Sequence, residues 1–238
     1  LVANLASMVG KRLDKSVPLI MFDCSEDTRD YHLRGSFSIQ PDGATVFIPG
    51  PFPLAIEMAN LVGVSILCLE EISALTPGAQ KQCNCMTDWR RGIFVPQLGR
   101  NVGLKPGCRV MVVATMNPSA YGGVYTLNSD LRSRFDEIRV PVPSLVQEKS
   151  ILREVCPFAT ANHVEKAALL AQATRTDALE YQLSTRDLVH LLENISKTGK
   201  VDVACRMVAD KFESDSDRDT VVDRINACFS TSIDKAKK

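Results

Sequence analysis

Residues 65–71 read Ser-Ile-Leu-Cys-Leu-Glu-Glu, an apolar run that stops at two adjacent carboxylates, and 46 residues beyond Glu71 a second apolar run stops at Asn117. A short run rich in branched apolar side chains is the pattern of a strand buried on both faces, where charge is tolerated only at the exposed end. Carboxylates at such an end meet ligands rather than core. Phosphate-transferring ATPases place there one acidic residue that positions Mg²⁺ and a second that orients the attacking water. Glu70, Glu71 and Asn117 are therefore candidate residues of a nucleotide site.

Several elements must hold these residues in place. Leu1, Leu5, Met8, Val9 and Leu13 form an apolar stripe that predicts a helix over residues 1–14. Apolar runs at 17–24, 65–69 and 109–115, with a shorter one at 137–140, predict four strands separated by helical segments. That alternation argues for an α/β domain with a largely parallel sheet. Two segments interrupt it with hairpin chemistry. Residues 36–40 and 44–48 flank Pro41-Asp42-Gly43, where proline fixes one dihedral and glycine accepts a positive one. Residues 94–100 and 102–104, with Gly99 and Gly103 as hinges, predict a second hairpin. Pro141-Val142-Pro143-Ser144 ends the sheet pattern, and Ser144 would cap a helix starting near Leu145 with Glu148 in its first turn. Amphipathic helices follow at 163–174, 184–197, 201–212 and 220–229, and 213–219 reads as a solvated loop. Two domains are expected, an α/β core over 1–143 and a small helical domain over 144–238.

Composition narrows the classes of function. A chain of 238 residues with 45% hydrophobic content can bury a sizeable core, and 28 basic against 28 acidic side chains leave no overall field toward nucleic acid or an acidic membrane. Basic residues are not interleaved with aromatics as a nucleic-acid surface requires, so nucleic acid is not an expected partner. No apolar stretch reaches the roughly 18 residues of a membrane span, and the N-terminus lacks a secretory pattern; a soluble, cytoplasmic location without membrane partners is expected. The eight cysteines are scattered, as small buried hydrophobes in a reducing compartment are. Cys83 and Cys85, two apart on a helix, do not make a zinc pair. His32, His163 and His190 have no ligand spacing, and Trp89 is expected to pack at the end of a helix.

An ordered set of motifs joins these observations: Phe22-Asp23-Cys24-Ser25-Glu26-Asp27-Thr28, the hairpin after Gly35, Gly50-Pro51-Phe52 before a helix, Leu69-Glu70-Glu71-Ile72, Ala114-Thr115-Met116-Asn117-Pro118, and Leu127-Asn128-Ser129-Asp130-Leu131-Arg132-Ser133-Arg134-Phe135. In this order the chain resembles the AAA+ ATPases of the MoxR and dynein-related branch, over roughly residues 1–198. The resemblance implies a P-loop NTPase core with inserted β-hairpins followed by a helical lid, with ATP and Mg²⁺ as cofactors. It also implies assembly into a ring, a hexamer, that couples ATP hydrolysis to remodelling or maturation of a protein client. Glu70 and Glu71 match the Walker B pair, so Glu70 would hold Mg²⁺ and Glu71 would polarise the hydrolytic water. Asn117 matches sensor 1. Arg134 matches the arginine finger that acts on a neighbouring subunit's nucleotide, with Arg132 as a second candidate. Arg186, in Leu183-Ser184-Thr185-Arg186, matches sensor 2 in the lid. The hairpin at 36–48 matches the helix-2 insert that faces the ring channel, and the one at 94–104 matches the hairpin before sensor 1.

Two departures stand beside the match. Glu70 replaces the usual aspartate and is one methylene longer. No Gly-x-x-x-x-Gly-Lys-Ser/Thr loop occurs anywhere in the sequence. In the family that loop lies between the first strand and the helix matched by residues 1–14, and the first strand lies between those matched by 109–115 and 137–140. Its removal would leave backbone groups buried without partners at about 1–3 kcal/mol each. The expectation is that the natural protein extends N-terminally and supplies the loop. The alternatives are a degenerate, non-catalytic AAA-like scaffold and, in another class, a nucleic-acid motor subunit of the same superfamily.

Overall fold

The strand predicted around residues 65–69 is the centre of the first half of the molecule. In the computed structural model, which describes residues 2–88, 92–117, 125–176, 179 and 181–235, it runs Val64–Glu70 with Ser65 to Leu69 buried. The chain divides into two compact units, Leu1–Ile138 and Arg139–Lys238, each with its own apolar core. Leu1 of the apolar stripe, Pro118 of the Asn-Pro motif and Trp89 lie outside the described residues.

In the first unit the order is α1 (Val2–Leu13), β1 (Leu19–Asp23), α2 (Asp30–Arg34), β2 (Gly35–Ile39), β3 (Thr45–Pro49), α3 (Pro51–Val62), β4 (Val64–Glu70), α4 (Pro77–Thr87), β5 (Gly92–Val95), β6 (Arg100–Gly103), β7 (Arg109–Ala114) and α5 (Ser129–Arg132). The sheet is parallel with order β1-β4-β7. The predicted strands at 17–24, 65–69 and 109–115 are thus present. α3 covers the central strand. Gly50 caps it before Pro51, and Gly63 ends it in the left-handed conformation with φ 100°. Phe52, Ala55, Ile56 and Ala59 bury the covering face, and the Ser65 hydroxyl donates to the Ala55 carbonyl at 2.7 Å. A β-carbon on Gly50 would lie 2.5 Å from the Leu33 carbonyl oxygen, so only glycine lets α2 and α3 meet there.

The first hairpin forms as predicted, β2 against β3 with Phe37 opposite Phe47. The second differs in register from its expectation. Residues 94–100 do not make one strand: Pro96–Leu98 form a 3₁₀ turn closed by Gly99 at φ 61°, and the strands flanking it are β5 and β6. Proline carries no N–H for a ladder and its fixed φ favours the turn. A larger correction concerns 137–140, which forms no strand. Ile138 is 86% exposed and Val140 65%. A β-pattern becomes a strand only where a neighbouring edge pairs its backbone, and among the described residues β7 pairs only with β4.

The second unit is helical: α6 (Leu145–Val155), α7 (Ala161–Thr176), α8 (Thr185–Thr198), α9 (Val201–Ala209) and α10 (Asp215–Phe229). The Ser144 hydroxyl caps α6 as predicted, accepting from the Gln147 N–H at 3.4 Å. Glu148 is buried and pairs with Arg175 at 2.7 Å. The segment 213–219 is not a loop throughout. Ser214 caps α10, and Asp215 and Asp217 occupy its first turn, where the helix dipole favours negative charge. The entry to α8 is tied by one carboxylate. Asp187 accepts from the Ser184 N–H at 2.8 Å, the Ser184 hydroxyl at 2.6 Å, the Lys211 ammonium at 2.5 Å and the Tyr181 hydroxyl.

Burial alone would push the Asp187 carboxyl up, but hydrogen bonds from Lys211, Ser184 and Tyr181 outweigh it and hold the group well below the usual carboxylate range. A carboxyl lowered on folding contributes stability that is present above its unfolded pKa, roughly 3.9, and is lost as pH falls through the folded value. Asp187→Asn is therefore expected to lose about 3 kcal/mol at pH 7. Urea unfolding followed by circular dichroism should show the gap between variant and parent narrowing as pH drops below about 4.

Candidate functional site at the carboxyl end of the parallel sheet

The three parallel strands end together. Their register sets Asp23 opposite Glu70 and Leu69 opposite Ala114. Backbone bonds continue past the strand ends: the Cys24 N–H donates to Glu70 at 2.9 Å, Thr115 to Leu69 at 3.0 Å and Ile72 to Thr115 at 2.9 Å. Glu71 turns the chain away from the sheet in the left-handed conformation, φ 53° and ψ 47°. That region costs a non-glycine residue on the order of 1 kcal/mol or more. Two contacts hold it there. The Glu71 N–H donates to the Thr115 hydroxyl at 3.2 Å, and its carbonyl accepts from the Ala74 N–H at 2.7 Å.

This backbone exit separates the two adjacent carboxylates. Glu71 is exposed, while Glu70 is half-buried beside the neighbouring strand. The Glu70 carboxyl is raised above its ordinary value, first by a hydrogen bond with the Asp23 carboxyl, then by burial and by the charges of Asp23 and Glu71. Three thiols lie in the packing of these elements. Burial, with smaller contributions from nearby acidic and thiol groups, pushes Cys24 up to about 12 and raises Cys68 and Cys83. They stay protonated at neutral pH, so they fill space and offer no thiolate nucleophile.

Oxygen donors are what the end of the sheet offers: Asp23, Glu70 and Glu71, the Thr115 hydroxyl and, two residues on, the exposed Asn117. That set suits a hard cation. Among the described residues no group of three or more His, Cys, Asp or Glu is arranged to hold a metal by itself. Mg²⁺ is usually held by one or two carboxylates together with substrate phosphates, which fits the Asp23 and Glu70 pair.

A second segment closes over the same end. The Tyr125 N–H donates to the Ser73 carbonyl at 2.6 Å, and its hydroxyl donates to Glu26 at 2.9 Å, a bond that raises the phenol pKa. Asn128 fastens the chain to α4, its N–H donating to Gln80 at 2.8 Å and its side-chain amide to the Pro77 carbonyl at 3.0 Å. From there the chain carries the two candidate arginines away. Arg132 makes a two-pronged ion pair with Glu137 at 2.5 and 3.1 Å. Arg134 donates to the Asp130 carbonyl at 3.1 Å and lines a cavity of about 360 Å³ with Met86, Arg109, Val110 and Phe135. Met86 is near the far end of α4, and Arg109 opens β7. The same cavity is lined by Val112 in the middle of β7, and among the described residues no hydrogen bond or ion pair joins Arg134 to Glu71. Arg186, exposed in the first turn of α8, belongs to the second unit.

The structure thus gathers Glu70, Glu71 and the 115–117 segment, and adds Asp23 and Thr115, which the sequence reading did not select as site residues. A signal for Asp23 was present. Residues 19–22 are an apolar run that ends in an acid, as the run before Glu70 does. Thr115 carried no signal of its own, because its role is to accept from a backbone N–H 44 residues away.

The family described as AAA domain (dynein-related subfamily) matches residues 3–135. Uncharacterised proteins of Staphylococcus aureus strains COL and MW2 are each 24% identical over 235 residues, covering 95% of this chain and 86% of their own length. A crystal structure of a candidate ATPase from Cytophaga hutchinsonii aligns at a TM-score of 0.47 with 17% identity. That alignment covers 81% of this chain and 66% of the other, just under two thirds of its length.

If the Asp23 carboxyl raises Glu70, then Asp23→Asn should return Glu70 to a lower pKa. An amide donates to the ionised carboxylate instead of sharing a proton with it. Carboxyl-carbon NMR titration of Glu70 in parent and variant measures this, and an unchanged midpoint would remove Asp23 as the cause.

Proposed function

The chain belongs to the dynein-related subfamily of AAA domains, a family of ATPases, and from that premise we propose that it hydrolyses Mg²⁺-bound ATP as a subunit of a MoxR-like ring. The observation that supports this most is the end of β4, where Glu70 and Glu71 leave a buried strand beside Thr115 and Asn117. A triphosphate approaching these carboxylates needs a cation between them, because like charges repel strongly at short range. Glu70, helped by Asp23, would hold Mg²⁺. Glu71, freed from the sheet by its left-handed backbone, would orient the attacking water, with Asn117 as a second donor to that water or to the terminal phosphate. ATP supplies the phosphoryl group and Mg²⁺ neutralises its oxygens.

Arg134, which no bond among the described residues joins to Glu71, would serve the nucleotide of a neighbouring subunit, and Arg186 would be a further nucleotide-binding arginine. Arg132 is the weaker finger because Glu137 already satisfies its guanidinium. A hexameric ring acting on a protein client in the cytoplasm is the assembly this reading implies. One observation favours a second reading, a non-catalytic scaffold: the Glu70 carboxyl is engaged in a hydrogen bond with Asp23 that raises it above its ordinary value, which works against its use as a metal ligand.

Binding and hydrolysis of Mg²⁺-ATP by the full gene product containing this sequence separate the two. Glu71→Gln is expected to lower hydrolysis by about 10²-fold or more with nucleotide affinity retained. Absence of binding by the parent protein would favour the scaffold. Arg134→Ala should lower hydrolysis by about 10³-fold, again with binding retained. Mixing the Glu71→Gln and Arg134→Ala proteins should restore activity, since adjacent subunits then complete one intact site between them. Mixtures no more active than their parts would sink the proposal that Arg134 acts across an interface.

A further inference from the structure

The sequence shows Arg34 only as a charge before Gly35, yet in the structure its guanidinium meets three separate elements. Its Nε donates to Asp30 of α2 at 2.5 Å, one Nη to the Phe94 carbonyl of β5 at 2.5 Å, and the other Nη to the Gln82 side-chain oxygen of α4 at 2.9 Å. The side chain is 13% exposed, too little for water to take over these bonds. Arg34 also immediately precedes Gly35, the first residue of the β2–β3 hairpin. Gly35 is held close, since a β-carbon there would lie 2.5 Å from the Ile48 carbonyl oxygen. One side chain therefore joins the base of the first hairpin, the first strand of the second hairpin, and α4.

We infer that Arg34 is a positioning residue that makes the β2–β3 and β5–β6 hairpins move as one body with α4, and so with Glu71. The route to Glu71 is short and stiff. Ile72–Ala74 follow Glu71 as a 3₁₀ turn, and the Ala74 N–H bonds back to the Glu71 carbonyl at 2.7 Å. Thr76 then caps α4, whose 11 residues make a rod about 16 Å long. Gln82 sits midway along it. A planar guanidinium with donors on three sides holds three acceptors in fixed mutual geometry, which a lysine ammonium on a flexible stem does not. Loss of the side chain leaves the Gln82 and Phe94 oxygens without this donor while touching neither Glu70 nor Glu71. The inference rests on the nucleotide reading above only for its link to ATP; the joint between the hairpins stands on the three bonds.

The test is amide hydrogen exchange on the full gene product, for the parent, Arg34→Met and Arg34→Lys, with and without a non-hydrolysable ATP analogue and Mg²⁺. Without nucleotide, exchange in residues 35–49 and 92–95 should rise together by about tenfold in Arg34→Met, and Arg34→Lys should restore little of it. With nucleotide, the parent should change protection in both hairpins. Arg34→Met should bind the analogue with unchanged affinity but lose that change. Unaltered exchange without nucleotide, or a rise in one hairpin alone, overturns the joint. A nucleotide response that persists in the variant overturns the coupling to Glu71. A parent that binds no analogue overturns the ATPase reading and leaves the nucleotide-free comparison to decide the joint. Should Arg34→Met not fold, Gln82→Met removes the α4 arm alone and should abolish the nucleotide response while sparing the hairpin-to-hairpin bond.

Discussion

Everything in the first unit depends on the burial of one parallel strand from Ser65 to Leu69. Ser65 to Leu69 are covered on both faces, so the backbone groups of β4 have no water and must pair with β1 on one side and β7 on the other. That pairing runs one step past the strand ends, through Cys24, Thr115 and Ile72. The carboxylates that follow cannot be drawn into the core, because an unpaired buried charge costs far more than the packing it would gain. They must sit at the rim, and the rim is where a ligand can reach them. The chemical site is in this sense a by-product of how a buried parallel sheet has to end.

The same constraint explains why Glu70 and Glu71, neighbours in sequence, do different things. A regular strand would have sent them to opposite faces, one of them under α3. Left-handed geometry at Glu71 breaks the alternation and turns it to solvent. The strain is held by Thr115, whose hydroxyl and carbonyl accept from two successive N–H groups, those of Glu71 and Ile72. Backbone outliers of this kind persist only where neighbours over-determine them. The carboxyl at 70 also meets Asp23, directly opposite on the next strand, a partner absent from the sequence pattern that suggested a metal ligand.

What was legible in the sequence was whatever is written in local periodicity. The three paired strands, the first hairpin with its Pro-Asp-Gly turn, and the cap at Ser144 all depend on residues within a few positions of each other. The carboxylates at 70 and 71 were legible for the same reason, since an apolar run and its polar end are adjacent. Residues 137–140 failed because alternation describes a strand's preference, not the presence of an edge to pair with. The second hairpin slipped because Pro96 outweighs the apolar residues around it. Asp23, Thr115, Arg34 and Asp187 stayed hidden for a further reason: each gains its meaning from a partner 24 to 60 residues away. Charge and hydroxyl residues at such positions look like ordinary surface until the fold chooses their neighbours.

The placement of the arginines shows how far geometry constrains mechanism within one chain. Two guanidiniums follow each other at 132 and 134, but Glu137 satisfies the first with both its oxygens. Such a pair would have to break before Arg132 could meet a phosphate, and among the described residues Arg134 has no carboxylate to leave, only the Asp130 carbonyl. That guanidinium lines a cavity with residues from the start and middle of β7, and no bond among the described residues joins it to Glu71 at the end of β4. On the proposed reading the phosphoryl oxygens it stabilises are those of another copy. Hydrolysis would then be a property of the interface between subunits rather than of the fold that carries both halves.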